Sequence, residues 1–235
     1  MNLRVPILIV VDHASNYIPL RYKNLGLSNK LSASHIAYDL NILNLSNKIN
    51  NLIHSNIITS KYSRLLIDLN RGSQDPTLIP SISEKNIIPG NININQNEKN
   101  FRITKIYKPH HSKINQIILK NKIKLILSLH SFNPYFKNEK RQTEIGILSN
   151  EDRRFSDLLI KQMKKSGKFK IGDNIPYKGN LIDDTLYKHG LKKNIFHTLI
   201  EIRNDLINSE IKVNNIARFI VSSVKKINKI ESLYL

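Results

Sequence analysis

The sequence predicts an α/β protein, a single three-layer α/β/α domain built on a mainly parallel (mixed) central sheet. Short apolar segments of strand length alternate with longer segments whose apolar residues recur at helical spacing. Three of the short segments end in a histidine or a glutamate, which is where open α/β sheets place their functional side chains. A length of 235 residues suits one domain, so residues 1–235 are predicted to form it.

The predicted strands are apolar runs that end in polar residues. In chain order they are Val5–Val11, Ile57–Ile58, Leu65–Leu69, Lys124–Leu129, Glu144–Leu148 and Thr198–Ile202. Because predicted helices alternate with these runs, the strands are expected to lie mainly parallel and to be covered on both faces.

The predicted helices occupy the longer segments between the strands. They are Ile36–His54, Thr104–Asn121, Arg153–Ser166 and Lys212–Ile230. In the last of them, Ile216, Ile220 and Val224 fall on one face, as in a helix that packs against a sheet.

Two further segments interrupt the alternation of strands and helices. They are Ile87–Asn100, which is rich in asparagine, and Tyr177–Gly190. Both are predicted to be long loops on the active-site side, where a hydrolase shapes its pocket.

The chain contains no cysteine, which excludes disulfides, thiolate metal ligands and a cysteine nucleophile. Any metal must therefore be held by His, Asp, Glu or Asn. No apolar stretch approaches the ~20 residues of a membrane-spanning helix, and no signal peptide is recognisable. We expect a cytoplasmic protein with no membrane partner.

The chain is strongly basic, with 37 Lys and Arg against 18 Asp and Glu and a formal net charge of +19. Such a charge is typical of proteins that bind nucleic acid or another polyanion. The lysines are nevertheless dispersed, and no zinc finger, RNP-type motif or basic zipper region is recognisable. We therefore expect no nucleic-acid partner, and we keep the binding of nucleic acid or another polyanion as the alternative function.

Polar residues at three predicted strand ends form the candidate active site. His13 follows the first strand, His130 follows the fourth, and Glu201 lies near the end of the last. Two histidines and a free glutamate at one edge of a sheet indicate a hydrolytic zinc site. Zinc needs a third protein ligand, and the candidates are Asn16, Asp12 and Asp39.

The segment from Ser63 to Gly72 is the densest mixture of polar and apolar residues. Its two arginines, Arg64 and Arg71, flank an apolar run, and a guanidinium can hold a carboxylate in a bidentate fork. This segment is therefore the candidate for recognising a substrate carboxylate. In the structural alternative, Arg71 pairs with Asp68 or Asp75.

The motifs, taken in order, resemble those of the N-formylglutamate amidohydrolase family. The matching stretches are residues 12–19 (DHASNYIP), 35–39 (HIAYD), 63–71 (SRLLIDLNR), 88–91 (IPGN), 107–111 (YKPHH), 128–132 (SLHSF), 185–190 (TLYKHG) and 199–206 (LIEIRNDL). Each motif is weak alone, but their order and number cover nearly the whole chain. The resemblance implies a phosphorylase/hydrolase-like fold and the hydrolysis of N-formyl-L-glutamate to glutamate and formate in histidine breakdown.

The resemblance also implies roles for individual residues. His13 and His130 are the implied ligands of the metal, which is Zn²⁺ or another divalent ion. The carboxypeptidase pattern has an acidic ligand three residues after the first histidine, where this chain has Asn16. Asp39 is therefore preferred as the third ligand, and Asn16 is its competitor.

The remaining candidates concern the chemistry and the substrate. Glu201 is the predicted general base. Arg64 or Arg71 helps to hold the oxyanion, with Arg64 preferred, and the other arginine holds a carboxylate. His189 contacts the substrate or stabilises the transition state. Predicted substrate-binding residues are Asn70, Arg71, Arg203 and His111. The expected substrate is a small anionic N-acyl amino acid. A carboxypeptidase-like or cell-wall amidase activity is the alternative within the enzyme class.

Overall fold

The computed structural model describes residues 6–230 of the chain, with side chains to residue 227. Within this range six strands form one central sheet and four short strands form two hairpins. The strands are β1 (Ile7–Val11), β2 (Asn56–Thr59), β3 (Ile82–Ser83), β4 (Asn86–Ile87), β5 (Leu125–Phe132), β6 (Tyr135–Phe136), β7 (Glu139–Lys140), β8 (Ile145–Leu148), β9 (Ile171–Asp173) and β10 (Phe196–Arg203).

The central sheet has the order β2-β1-β5-β10-β8-β9. Every neighbouring pair is parallel except β10 and β8, which are antiparallel. The predicted fold class, an α/β domain with a mainly parallel, mixed sheet, is confirmed.

Helices cover both faces of this sheet. They are α1 (Asn29–Ser32), α2 (Ile42–Ile53), α3 (Gln96–Arg102), α4 (Lys108–Asn121), α5 (Arg154–Lys164), α6 (Thr185–His189) and α7 (Glu210–Ile230). Ile7, Ile9 and Val11 of β1 pack in one core with α2, α5 and α7. Leu8 and Val10 point to the opposite face, as alternation in a strand requires, and pack in a core with α4.

The predicted strand Leu65–Leu69 is wrong. These residues form turns, in which Leu66 N donates to Ser63 O and Asp68 N donates to Leu78 O. Their apolar side chains belong to a second core outside the sheet, and this core explains the apolar pattern. The turns also direct the polar side chains of the segment toward the sheet edge.

The predicted helix Ile36–His54 begins later than expected, at Ile42. The preceding residue, Asn41, has a left-handed backbone with φ of 60° and separates α2 from the residues before it. Asp39 therefore lies in a turn, where its backbone N donates to His13 O at 3.0 Å. This turn brings Asp39 to the end of β1.

The two predicted loops contain helices. A single turn at Pro89–Asn91 and most of α3 lie within Ile87–Asn100, and α6 lies within Tyr177–Gly190. The predicted helix Thr104–Asn121 corresponds to α4 and a wider turn, Ile103–Tyr107, that joins it to α3. Strand β9 was not predicted.

The other predicted elements match the structure within a few residues at each end. Val5, the first residue of the first predicted strand, lies outside the described residues. No helix within residues 6–230 is long and apolar enough to cross a membrane. The cytoplasmic location stays a prediction.

Candidate metal centre and active site

Three adjacent parallel strands carry the candidate site at their carboxyl ends. His13 lies two residues beyond the end of β1, and His130 lies near the end of β5, which is the next strand in the sheet. Glu201 of β10 is in register with His130. The sheet therefore places two imidazoles and one carboxylate side by side, as the sequence indicated.

A second carboxylate, that of Asp39, meets the imidazoles of His13 and His130 at this edge. The Nδ1 atoms of His13 and His130 lie 3.1 Å apart. Asp39 Oδ2 lies 3.0 Å from His130 Nδ1, and Asp39 Oδ1 lies 3.5 Å from His13 Nδ1. All three residues are buried, and one possible ligand atom from each lies within 4.8 Å of the others. Such a set of nitrogen and oxygen donors fits a divalent metal ion such as zinc.

Hydrogen bonds behind the site orient His13. Its Nε2–H donates to Asp68 Oδ1 at 2.7 Å, which leaves the lone pair of Nδ1 facing His130 and Asp39. Asp68 in turn accepts bonds from Asn70 N at 2.9 Å and from Arg64 Nη2 at 3.0 Å. Carboxylate–histidine pairs of this kind fix the tautomer of a metal-binding histidine.

The charges at the site stabilise ionised carboxylates. Burial opposes ionisation of Asp39, but His13 and His130 outweigh it and lower the pKa of this carboxyl group. Burial and the charge of Arg64 oppose protonation of His13, yet Asp68 and Asp39 raise its pKa above the usual value. The two buried carboxylates thus make the cluster suited to a bound cation.

Glu201 lines the same cavity as the two histidines and Asp39. Its Oε2 atom is buried and has no partner among the described residues. Burial raises the pKa of Glu201 to about 7, and the neighbouring charge of Asp39 acts in the same direction. A carboxylate of this pKa can accept and return a proton near neutral pH.

A cavity of about 670 Å³ opens onto these residues. Its volume lies within the roughly 300–1,000 Å³ of small-molecule sites. Asn70 and Arg71 line it, as do Phe136 of strand β6 and Tyr177. The predicted loop Tyr177–Gly190 does therefore contribute to the pocket.

Arg71 is available to bind an anion in this cavity. Its Nε donates to Thr77 Oγ1 at 3.1 Å and its Nη1 donates to Asn70 O at 3.2 Å. Within residues 6–230 it forms no ion pair, so the structural alternative of a pair with Asp68 or Asp75 is not observed.

Arg64 reaches the cavity but is held by the acidic residues of the site. Its Nη2 lies 3.0 Å from Asp68 Oδ2, and its Nη1 lies 3.5 Å from Asp39 Oδ1. These two carboxylates raise the pKa of the Arg64 guanidinium despite its burial. The geometry gives Arg64 a part in holding Asp39 and Asp68, a role that the sequence did not predict.

The structure places Asn16 away from the candidate site. Asn16 is exposed and donates to Ser32 O at 3.0 Å. Asp12 is buried, but its Oδ1 bonds to His110 at 2.8 Å and its Oδ2 accepts a bond from Thr185 at 2.7 Å. Of the three candidates for the third ligand, only Asp39 lies against both histidines.

His111, His189 and Arg203 do not line the cavity, contrary to their predicted contact with substrate. His111 Nδ1 and His189 Nε2 lie 2.9 Å apart in a buried pair between α4 and α6. Arg203 donates to Asp205 Oδ1 at 2.8 Å and to Arg141 O at 2.9 Å. Arg203 was predicted to bind substrate, but its guanidinium forms its hydrogen bonds within the protein.

Sequence reasoning missed two residues at the site, Asp68 and Arg141. Asp68 was considered only as a partner of Arg71, although a carboxylate inside an apolar run indicates a buried polar contact. Arg141 gave no usable signal, because it stands among lysines and asparagines in a polar segment. Only the fold brings it to the cavity.

Comparisons with known proteins identify the family and the fold. The sequence profile described as N-formylglutamate amidohydrolase matches residues 5–208. The structure of a gene product from Agrobacterium tumefaciens is 31% identical, with a TM-score of 0.92, and the match covers 97% of this chain and 92% of that one. A search of curated proteins finds no match.

More distant structures share the fold. The N-formylglutamate amidohydrolase of Ralstonia eutropha is 15% identical, with a TM-score of 0.65, and the match covers 97% of this chain and 95% of that one. The CwlD amidase of Clostridioides difficile is 16% identical, with a TM-score of 0.52 and coverage of 95% and 98%.

Proposed function

The chain belongs to the N-formylglutamate amidohydrolase family and is an amide-bond hydrolase, and from this premise we propose that it is a metal-dependent enzyme that cleaves a small N-acyl amino acid. The preferred substrate is N-formyl-L-glutamate, which yields L-glutamate and formate. One observation carries the proposal. His13, Asp39 and His130 converge beside Glu201, whose buried Oε2 has no hydrogen-bonding partner among the described residues and which borders the cavity.

His13, Asp39 and His130 would hold the metal, most simply Zn²⁺, which the donor set fits. When bound, a divalent ion supplies Lewis acidity that favours attack of water on an amide carbonyl. Asp68 holds His13 in the tautomer that this role requires, and Arg64 holds Asp68.

Glu201 handles the proton. It accepts a proton from the attacking water and delivers it to the nitrogen of the departing amino acid as the C–N bond breaks. The surroundings of Glu201 suit this exchange. No residue described in the structure forms a hydrogen bond with Oε2, and burial raises the pKa of Glu201 to about 7.

Arg71 and Asn70 would hold the α-carboxylate of the substrate. Arg71 lines the cavity with no carboxylate partner in the described structure, and Asn70 lies beside it. The side-chain amide of Asn70 is fixed because its Oδ1 accepts a bond from Thr185 N at 3.3 Å. This arrangement would orient the scissile amide toward Glu201.

The test is formate release from N-formyl-L-glutamate by zinc-loaded protein, with Glu201→Gln as the diagnostic variant. We expect Glu201→Gln to lose at least ~100-fold in kcat while it keeps its metal, because proton transfer contributes that much. Glu144→Gln is the matched control, since Glu144 faces Arg203 and Lys170 rather than the cavity, and it is expected to stay active.

Two outcomes would contradict the proposal. If Glu201→Gln turned over as fast as the starting protein, Glu201 would not be the base. If no N-acyl amino acid were cleaved and a polyanion bound in a salt-sensitive manner indifferent to chelators, the basic charge would define the function instead.

A further inference from the structure

Arg141 is a third arginine at the cavity, beside Arg64 and Arg71, and its guanidinium lies among aromatic rings. Its guanidinium lies over three aromatic rings, 5.4 Å from the centre of Phe132, 5.2 Å from Phe136 and 5.0 Å from Tyr177. All four residues line the cavity that holds the candidate metal ligands. Stacking of this kind limits the movement of the long side chain and leaves its edge free for an anion.

The hydrogen bonds of Arg141 use only one of its three nitrogens. Nη1 donates to Tyr177 Oη at 2.9 Å and to Asn133 O at 3.3 Å. Among the residues of the described structure, none accepts a bond from Nε or Nη2, and no carboxylate forms an ion pair with Arg141. The remaining N–H groups can form a bidentate pair with a carboxylate.

The three arginines at the cavity differ in whether an acidic residue of the protein pairs with them. Arg64 is neutralised by Asp68 and Asp39. Arg71 and Arg141 both lack an acidic partner in the part of the chain that the structure describes. Both guanidiniums can therefore pair with a ligand that carries two negative groups.

The backbone of Arg141 is itself fixed. Arg203 Nη1 donates to Arg141 O at 2.9 Å, while Arg203 Nε is held by Asp205 at 2.8 Å. Arg203, expected from the sequence to bind substrate, thus positions the residue that can do so. Arg141 is also near enough to Glu201 to lower the pKa of that carboxyl against the larger effect of burial.

We propose that Arg141, stacked among Phe132, Phe136 and Tyr177, binds the second carboxylate of the substrate and sets the preference for acidic N-acyl amino acids. This inference rests on the proposed function, in which Arg71 binds the α-carboxylate. The rings hold the guanidinium in place for this pair. A lysine at this position would provide a point charge without the bidentate geometry.

Two substrates of similar size distinguish binding of the second carboxylate from an effect of Arg141 on every substrate. N-formyl-L-glutamate carries the second carboxylate, and N-formyl-L-norvaline lacks it. We expect Arg141→Gln to raise KM for the first by at least ~10-fold and to change kcat/KM for the second by less than ~3-fold, because one charge-assisted bidentate contact is lost. Arg141→Lys should recover only part of the loss.

Arg154→Gln is the matched control. Arg154 also stacks on a ring, with its guanidinium 4.5 Å from the centre of Phe196, but it pairs with Asp152 and does not line the cavity. Its substitution is expected to leave both substrates unaffected. An equal loss for both substrates in Arg141→Gln, or no loss for either, would overturn the proposal.

Ligand binding tests Arg141 even if neither substrate is cleaved. Calorimetry on the zinc-loaded protein would compare glutarate, a dicarboxylate, with butyrate. We expect glutarate to bind more tightly and to lose at least ~10-fold in affinity in Arg141→Gln, with butyrate unchanged. If the starting protein did not distinguish the two, or if the variant kept the distinction, Arg141 would not be the second carboxylate site. Absence of cleavage with this pattern of binding would instead count against the proposed reaction alone.

Discussion

Two buried pairs of histidines lie in this domain, and their difference shows what makes a metal site. His13 and His130 approach with their Nδ1 atoms 3.1 Å apart, and His111 and His189 approach with Nδ1 and Nε2 2.9 Å apart. All four residues are buried. Proximity and burial therefore do not distinguish the two pairs.

The carboxylates distinguish them. Asp39 and Asp68 contact the first pair, supply the negative charge that a cation needs, and direct Nδ1 of His13 toward Asp39 and His130. The second pair has Asn115 as its further partner, at 3.1 Å from His189 Nδ1. Burial lowers the pKa of His111 to about 3 and that of His189 to about 4, so this pair is neutral.

Access to the cavity is the second difference. His13 and His130 line it, whereas the ring of Tyr107 packs on His111 with 4.3 Å between ring centres. The first pair can reach a metal and a substrate, and the second pair joins α4 to α6. A carboxylate that orients the ring and a cavity that exposes it are what make the first pair the candidate metal ligands.

Removing the carboxylate between the two site histidines should have the largest effect. Asp39→Asn is expected to lower metal affinity and kcat/KM by more than ~100-fold, beyond the effect usual for residues that only support a ligand. Metal titration monitored by calorimetry checks the affinity. Binding that survived unchanged would remove Asp39 from the ligand set.

Asp68→Asn should have a smaller effect, because Asp68 orients His13 without facing the metal. We expect metal affinity to fall by about 10–100-fold, with activity recovered at high metal concentration. The same titration, followed by assays with increasing zinc, measures both. Loss of activity that no zinc concentration restored would show that Asp68 acts on the substrate instead.

The second pair predicts a dependence of stability on pH. With a folded pKa of about 3 against the usual 6.5, His111 binds a proton in the unfolded chain but not in the folded one between these pH values. Stability is therefore complete above pH 6.5 and falls as the pH drops toward 3. At pH 5 this effect amounts to about 2 kcal/mol in the free energy of unfolding.

Urea unfolding of the starting protein and of His111→Gln at pH 7 and pH 5 measures how much His111 contributes to this loss of stability. The starting protein should lose about 2 kcal/mol more than the variant between the two pH values. Equal losses would show that the His111–His189 pair is not held neutral.

The smallest effect is expected at Asn16, where the carboxypeptidase pattern has a ligand. Asn16→Asp should change metal affinity and activity by less than ~2-fold, because the side chain is exposed and contacts Ser32 O rather than the site. Zinc affinity tighter by tenfold or more would mean that residue 16 can reach the metal.

The sequence predicted the parts of the site that depend on strand order. His130 and Glu201 follow apolar runs, and parallel pairing brings the ends of such runs together whatever the loops do. Asp39 was preferred from the resemblance, although it was assigned to a helix that begins only at Ile42. The left-handed Asn41 that frees it has no clear signal in the sequence.

Other features depended on tertiary packing that a pattern does not reveal. Leu65–Leu69 has the apolar residues of a strand, but Leu78 and Ile88 bury them in a separate core. His111 and Arg203 have residue types suited to substrate binding, yet their partners are His189 and Asp205. The role of a polar residue depends on which partner it contacts, and the sequence pattern does not identify that partner.

The most direct test of this account is the zinc content of the purified protein, of His130→Ala and of His111→Ala, measured by elemental analysis after dialysis. The account predicts about one zinc per chain in the starting protein and in His111→Ala, and none in His130→Ala. Zinc retained by His130→Ala, or lost from His111→Ala while that variant stays folded, would contradict it.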